Sequence, residues 1–439
     1  MSKNKGNKKS HQYNNNYKKS EAKPSTLPQA ANLPASQAAR SSKPAAPINF
    51  STPVTLSFQA TDTLFFRESR PMESMGELQS VFPPPIRTLA GALRTLIGET
   101  TGVNWQDYEK DANHSLRSLI GFSDDLGKLK LEGAWLAWKG ERLYPAPLHL
   151  LKKGEHLFTL SLDKNTVWCD LGRHVRLPKL LDGDAPKGSK PLENAWLTGS
   201  ALQKVLNGNQ PSLERPTPDK PNAKQEIFFA KDLFERESRL GIGRDNATGM
   251  VRDGVLYQTQ HIRPKAELSI ELDVQGLSQG DLPEYAMLRL GGEGRTAHIA
   301  LTQASNKLPT GKAGKEGLVL YLLTPLPINW QLGADNDWQP LPGFIAVPNS
   351  NPSVWRGQLN GIELELHGAV TGKALREGGW DMAKHAPRAV SSFIPAGSLF
   401  FCKLINSHAQ AAIEALHDQH IGTLTEYGYG HVAVGVWND

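Results

Sequence analysis

The chain is poor in the features that announce a chemistry. Its 439 residues include only two cysteines, Cys169 and Cys402. That excludes a disulfide framework and a four-cysteine zinc site, and it fits free thiols in a reducing cytoplasm. No apolar run approaches the roughly 18 residues of a membrane span, and no apolar h-region of a signal peptide is visible. Neither a Walker lysine motif nor a G-x-G-x-x-G spacing occurs. The body also lacks excess positive charge. Residues 1–47 hold nine Lys or Arg against one Glu, so of the formal net charge of +5 the tail carries +8 and the remainder −3. A basic pI is therefore no evidence of a nucleic-acid partner, and any phosphate binding must rest on a local patch.

What the chain does have is length for two domains, enough apolar residues (39%) for packed cores, and 40 Gly and 30 Pro that imply many turns. Residues 1–48, rich in Lys, Asn, Ser, Ala and Pro, cannot bury enough apolar surface to offset their ordering entropy and are expected to be a disordered basic tail. From Thr52 the alternation of Val54, Leu56 and Phe58 predicts a half-buried strand. After Phe82-Pro83-Pro84-Pro85 a helix is expected from about Thr88. Leu89, Leu93, Leu96 and Ile97 lie on one face, Arg87 and Arg94 on another. Further strands are expected at 133–138, 266–274 and 286–301. The polar stretch 182–260 reads as an insertion with mobile loops, ending in a turn around Asp245, Asn246 and Gly249 between two short strands. Residues 304–316 look like a linker. Beyond it, LVLYLLTPLPI and GIELELHGAV predict strands, and Ser407 to His420 a helix. The pattern implies an α+β protein with an N-terminal domain over 49–303 and a C-terminal domain over 316–439.

Two glycine breaks occupy comparable places late in each half. Gly291, Gly292, Glu293, Gly294 and Arg295 interrupt two strands. Glycines admit positive φ and let backbone N–H groups approach a ligand, and the arginine can bind phosphate. The plain alternative is a glycine-bulged hairpin with a solvated arginine. Near the C-terminus, Tyr427, Gly428, Tyr429, Gly430 and His431 suggest rings that stack on bases beside open backbone. Arg67, Arg70, Arg87, Arg94, Arg239, Arg244 and Arg295 fall at strand ends, in turns or at the start of a helix, where guanidinium groups reach phosphate. Each taken singly is more simply a surface cation or half-buried ring; together they point to an RNA site. No metal site is evident: His417 and His420 have a workable spacing but no further ligands nearby, and a solvated helical face is the simpler reading. His114, His298 and His431 are the histidines nearest interesting loops, and His431 is the candidate for acid-base chemistry.

TDTLFFRESRPM, VFPPPIRTLAGALRT, ESRLGIGRDNATGMVRDGVLY, LRLGGEGR and YGYGHV, in that order, resemble the RAMP superfamily, and more narrowly the Cmr-type subunit of type III-B CRISPR effector complexes that holds the 5′ handle of the crRNA. The resemblance spans most of 52–439 and omits the tail. It implies two ferredoxin-like (RRM-like) domains with insertions, in a cytoplasmic antiviral ribonucleoprotein without a cofactor. It implies a non-catalytic subunit that grips the handle, docks the large polymerase/cyclase-like subunit and contacts a backbone RAMP subunit, meeting target RNA only indirectly. Matched to the family's glycine-rich loops are Gly291, Gly292, Glu293, Gly294 and Arg295, and Gly428, Tyr429, Gly430 and His431. Arg70, Arg87, Thr88, Arg239 and Arg244 lie in or beside matched stretches. The rival expectation is a RAMP-type metal-independent endoribonuclease that processes crRNA. A third is a scaffold whose contacts with RNA are incidental.

Overall fold

The computed structural model describes residues 48–69, 77–170, 172–180, 183–245, 248–312, 314, 317–328 and 339–437. The expected tail and Arg70 lie outside these residues. Residues 48–439 form one compact unit, built on two antiparallel sheets.

The first sheet has eight strands. Across it run Ile227–Phe229, Ala195–Thr198, Glu141–Pro145, Lys130–Trp138, Leu268–Gln275, Val54–Ala60, Thr296–Gln303 and Tyr285–Arg289. The expected alternation holds: Val54, Leu56 and Phe58 are buried, and the helix Ile86–Thr100 covers that face with Leu89, Leu93, Leu96 and Ile97. Each of these apolar side chains contributes about 1.5–3 kcal/mol on burial, which is what holds the helix down. Arg87 and Arg94, on the opposite side of the helix, both reach the loop at 123–124.

The second sheet has seven strands, in the order Ile345–Ala346, Trp355–Leu359, Ile362–Val370, Leu399–Leu404, Gly317–Leu322, His431–Trp437 and Gln419–His420. Its helix, Ala409–Leu416, is shorter than the sequence suggested. At His417 the backbone becomes extended, and Asp418 takes a positive φ of 62°. The chain then turns back, so that Gln419–His420 pairs with the last strand. A third cluster joins the sheets: Trp135 and Tyr144 from the first pack with Val319, Tyr321, Phe401 and Trp437 from the second.

The stretch 182–260 is not simply an insertion of loops. It supplies two strands of the first sheet, Ala195–Thr198 and Ile227–Phe229, and the helix Gly199–Leu206 with Ala201 and Leu202 fully buried. Apolar residues at these places were masked, in sequence, by the Pro- and Lys-rich segments around them. The expected hairpin at its end is long rather than short, pairing Phe234–Arg244 with Val251–Pro264. Leu240, Met250 and Leu256 on it are 74%, 70% and 58% exposed.

Candidate RNA-binding site

The two glycine-rich loops have opposite environments. Gly291 to Gly294 are exposed, whereas Tyr427 to His431 are buried.

The first loop joins Tyr285–Arg289 to Thr296–Gln303 and lies against the segment Leu64–Phe66. Gly291 forms a parallel bridge with Phe65, and the Gly292 N–H donates to the Phe65 carbonyl at 2.8 Å. A Cβ on Gly291 would stand 2.4 Å from that carbonyl oxygen, at a φ of +82°. Glycine is required here by backbone packing. Gly294 has φ +65° with open space around it. Among the described residues, the tip N–H groups of Glu293 and Gly294 make no backbone hydrogen bond.

Glu293 anchors the loop from the other side. Its carboxylate meets His261 Nε2 at 2.9 Å, and His261 Nδ1 faces the Thr63 hydroxyl at 3.2 Å. Burial holds the pKa of His261 below the usual histidine range, against the pull of Glu293. The neutral ring therefore donates from Nε2 and accepts at Nδ1. Although it falls in the matched motif, Glu293 is positioned to hold the loop, since a carboxylate repels phosphate.

Around this loop stand three guanidinium groups with unequal commitments. Arg263 bridges Asp62 and Glu237, at 2.6 Å each, and Arg239 contacts Glu237 at 2.7 Å and Asp62 at 3.4 Å. These pairs lower the pKa of Asp62, chiefly through Arg263, and that of Glu237, chiefly through Arg239. Arg295 is different. Its side chain is 23% exposed, lies 3.8 Å from Asp62 and 3.9 Å from Glu293, and has a buried Nε without a hydrogen-bond partner. A guanidinium presents five donors, so Arg295 has the largest unused capacity in the cluster. Arg239, expected to reach RNA phosphate, is held by two carboxylates, Glu237 and Asp62. Arg244 closes its strand at the far end of the hairpin.

The second loop is packed inside. Gly428 and Gly430 have positive φ, and a Cβ on them would lie 2.6 Å from Leu131 O and 2.0 Å from Ile421 O. Their glycines serve close backbone approach within the protein. Tyr429 is 0% exposed and donates its hydroxyl to buried Glu377. His431 is 1% exposed, with Nε2 bonded to Asp418 at 2.8 Å and its ring against Trp135 and His420. The expectation that these rings stack on bases is corrected, because neither has a free face. Arg87, too, is committed: it contacts Asp124 at 2.5 Å and lies over the Tyr427 ring at 4.8 Å. Thr88 lies in the first turn of the same helix, whose start has neither a side-chain cap nor an acidic residue. Thus Glu293, Arg295 and Arg239 come together, Arg87 and Tyr429 share a second network, and His431 belongs to a third. Asp62, Glu237, His261 and Arg263 were missed in sequence. ESR and TDT sit in the quoted motifs, but nothing in them indicates which carboxylate meets which arginine.

The family model for CRISPR-associated protein (Cas_Cmr3) matches residues 56–437. The chain belongs to this family, as a Cmr-type subunit of type III-B CRISPR effectors. No curated protein matches it. Among solved structures, similar chains come from a "Type III-B Cmr-beta bound to cognate target RNA and AMPPnP", at 17% identity and TM-score 0.42, covering 83% of this chain and 88% of that one. Another is from "Type III-B Cmr-beta bound to cognate target RNA", at 15% identity and TM-score 0.42, covering 87% and 96%. A third is from a "Csm3-Csm4 subcomplex in the type III-A CRISPR-Cas interference complex", at 10% identity and TM-score 0.34, covering 81% and 94%. Among the described residues, no helix is long and apolar enough to cross a membrane.

Proposed function

We propose that the protein binds crRNA at its 5′ handle through the Gly291–Arg295 loop and contributes no chemistry of its own. The observation that carries this reading is the loop itself: two tip N–H groups without a backbone partner among the described residues, beside the one guanidinium of the cluster that keeps a buried Nε unbonded among them. Backbone N–H and arginine are the groups that position RNA phosphates. In this reading Arg239 and Arg263 hold the carboxylates away from the strand, and the large polymerase/cyclase-like subunit and a backbone RAMP subunit dock on other surfaces. Family membership supports a place in such a complex.

Two ferredoxin-like domains are part of the same proposal. In the first half the strands at 54, 130, 268 and 296 lie in the sheet as fourth, first, third, second. In the second half the strands at 317, 362, 399 and 431 have that order again. This is the strand order of a βαββαβ unit; among the described residues the first helix is seen in one half (Ile86–Thr100) and the second in the other (Ala409–Leu416).

The endoribonuclease reading needs an accessible catalytic histidine, and the enclosure of His431 by Trp135, His420 and Asp418 disfavours it. The test is a native and a denaturing gel of the protein with 5′-labelled handle RNA in EDTA. We expect a shifted, intact RNA, lost when the handle is scrambled. Arg295→Ala should weaken binding by about 1–3 kcal/mol and reduce the salt dependence by about one phosphate contact. A discrete cleavage product, or unchanged affinity in Arg295→Ala, overturns the proposal.

A further inference from the structure

His420 and His431 face each other across the antiparallel pair Gln419–His420 and His431–Trp437. Directly opposed residues of such a pair project from the same face, which is why these two histidines meet here. The strand Lys130–Trp138 of the first sheet brings Glu132 to the same place. One ligand atom from each of Glu132, His420 and His431 lies within 4.8 Å of the other two. Glu132 Oε1 is 3.8 Å from His431 Nδ1.

Two features separate this cluster from an ordinary buried ion pair. Among the described residues, His431 Nδ1 and His420 Nε2 are both buried without a hydrogen-bond partner, and His431 is 1% exposed. Leaving such atoms unpaired costs about 1–3 kcal/mol each, a cost that a bound ion would remove. Moreover, His431 Nε2 bonds to Asp418 at 2.8 Å. A carboxylate accepting from one imidazole nitrogen fixes the proton there and turns the lone pair of the other outward, the arrangement that supports metal-ligating histidines.

We propose that Glu132, His420 and His431 bind a first-row divalent transition ion, zinc in the first instance, through the Glu132 carboxylate, His420 Nε2 and His431 Nδ1, with Asp418 orienting His431. The ion clips the first sheet to the second beneath the Tyr427–His431 loop. Two imidazoles and a carboxylate are a donor set suited to zinc, with a fourth position left for water. Ligand atoms around a tetrahedral zinc stand about 3.4 Å apart, so the site closes by about 1 Å on binding. The two rings are stacked at 4.6 Å and 15°, and the His420 ring must turn out of that stack to aim Nε2 at the ion. His420 is only half-buried and ends a two-residue strand, which leaves room for the rotation.

The experiment is a cobalt titration of the full-length, untagged protein after EDTA treatment and desalting, followed by visible absorption and then by zinc displacement. The expected result is one equivalent of low-symmetry cobalt, displaced by zinc, with affinity at least tenfold weaker in both His420→Ala and Glu132→Gln. Thermal unfolding supplies a second readout. Zinc should raise the Tm of the unaltered protein and leave that of His420→Ala unchanged, while in EDTA both variants remain folded. Absence of stoichiometric cobalt, or the same spectrum and affinity in both variants, refutes the site.

Discussion

Gly291→Ala and Gly294→Ala place the same methyl group three residues apart in one loop, and the structure predicts unequal outcomes. Both positions have positive φ, +82° and +65°, and each costs about 1–2 kcal/mol in strain for an L-residue. Both regain about 0.4–1 kcal/mol because alanine narrows the unfolded ensemble. At Gly294 nothing lies within 4 Å, so the net loss should be about 1 kcal/mol or less. At Gly291 the new Cβ meets the Phe65 carbonyl oxygen at 2.4 Å, and backbone cannot rotate aside as a side chain can. Relief requires breaking the Gly292 N–H bond to that oxygen, about 1 kcal/mol, and shifting Phe65 in its packing, about another 1–3 kcal/mol. Gly291→Ala should therefore cost about 3 kcal/mol, some 2 kcal/mol more than Gly294→Ala. Urea unfolding at equilibrium, followed by tryptophan fluorescence, measures the difference. Equal losses within about 0.5 kcal/mol, or a larger loss for Gly294→Ala, would refute the claim that the loop is pinned to Phe65.

Other consequences are as direct. Tyr429→Phe removes the hydroxyl donor from buried Glu377, whose carboxyl burial already pushes up, and should cost about 1.5–3 kcal/mol in unfolding measurements while leaving RNA affinity unchanged in gel shifts; lost affinity in the folded variant would mean that the ring does meet RNA. Arg142→Ala strands two buried carboxylates, Asp273 at 2.7 Å and Glu271 at 3.1 Å, and should destabilise by about 3–5 kcal/mol; a loss under 1 kcal/mol would show the cluster to be solvated. Burial lowers the pKa of His149 to about 4. A histidine with a lower pKa folded than unfolded binds fewer protons in the native state, so its contribution is complete above about pH 6.5 and is lost as pH falls toward 4. Between pH 7 and 5 that amounts to about 2 kcal/mol, and His149→Leu should flatten the fall in Tm by the corresponding amount; an unchanged pH profile would place the acid sensitivity elsewhere.

Much of the fold was present in local pattern. The spacing of Val54, Leu56 and Phe58 and of Leu89, Leu93, Leu96 and Ile97 follows from the strand and helix periods, and each set lies in the core as its period requires. The GGEGR break also falls where expected, between two paired strands, since glycines at positive φ are punctuation that acts within a few residues. The motifs sufficed for the family.

Tertiary structure alone decided which of these residues face solvent. Two loops of similar composition, GGEGR and YGYGH, differ in how far they are covered: Leu131 and Ile421 bring carbonyl groups against both Gly428 and Gly430, while GGEGR is pinned by Phe65 at Gly291 and meets only open space at Gly294. Sequence carries no record of the Leu131 contact, because that strand comes from the other half of the chain. For the same reason the arginines could be named but not ranked. Arg239 and Arg263 share the hairpin with Glu237 but find Asp62 only when that hairpin folds onto the first strand's end, and Arg295 keeps its donors only because those carboxylates are already taken. Glu132, His420 and His431 likewise meet through the register of one strand pair and the packing of one sheet on another. Short-range periodicity determined the elements, and long-range packing determined which groups remain available for chemistry.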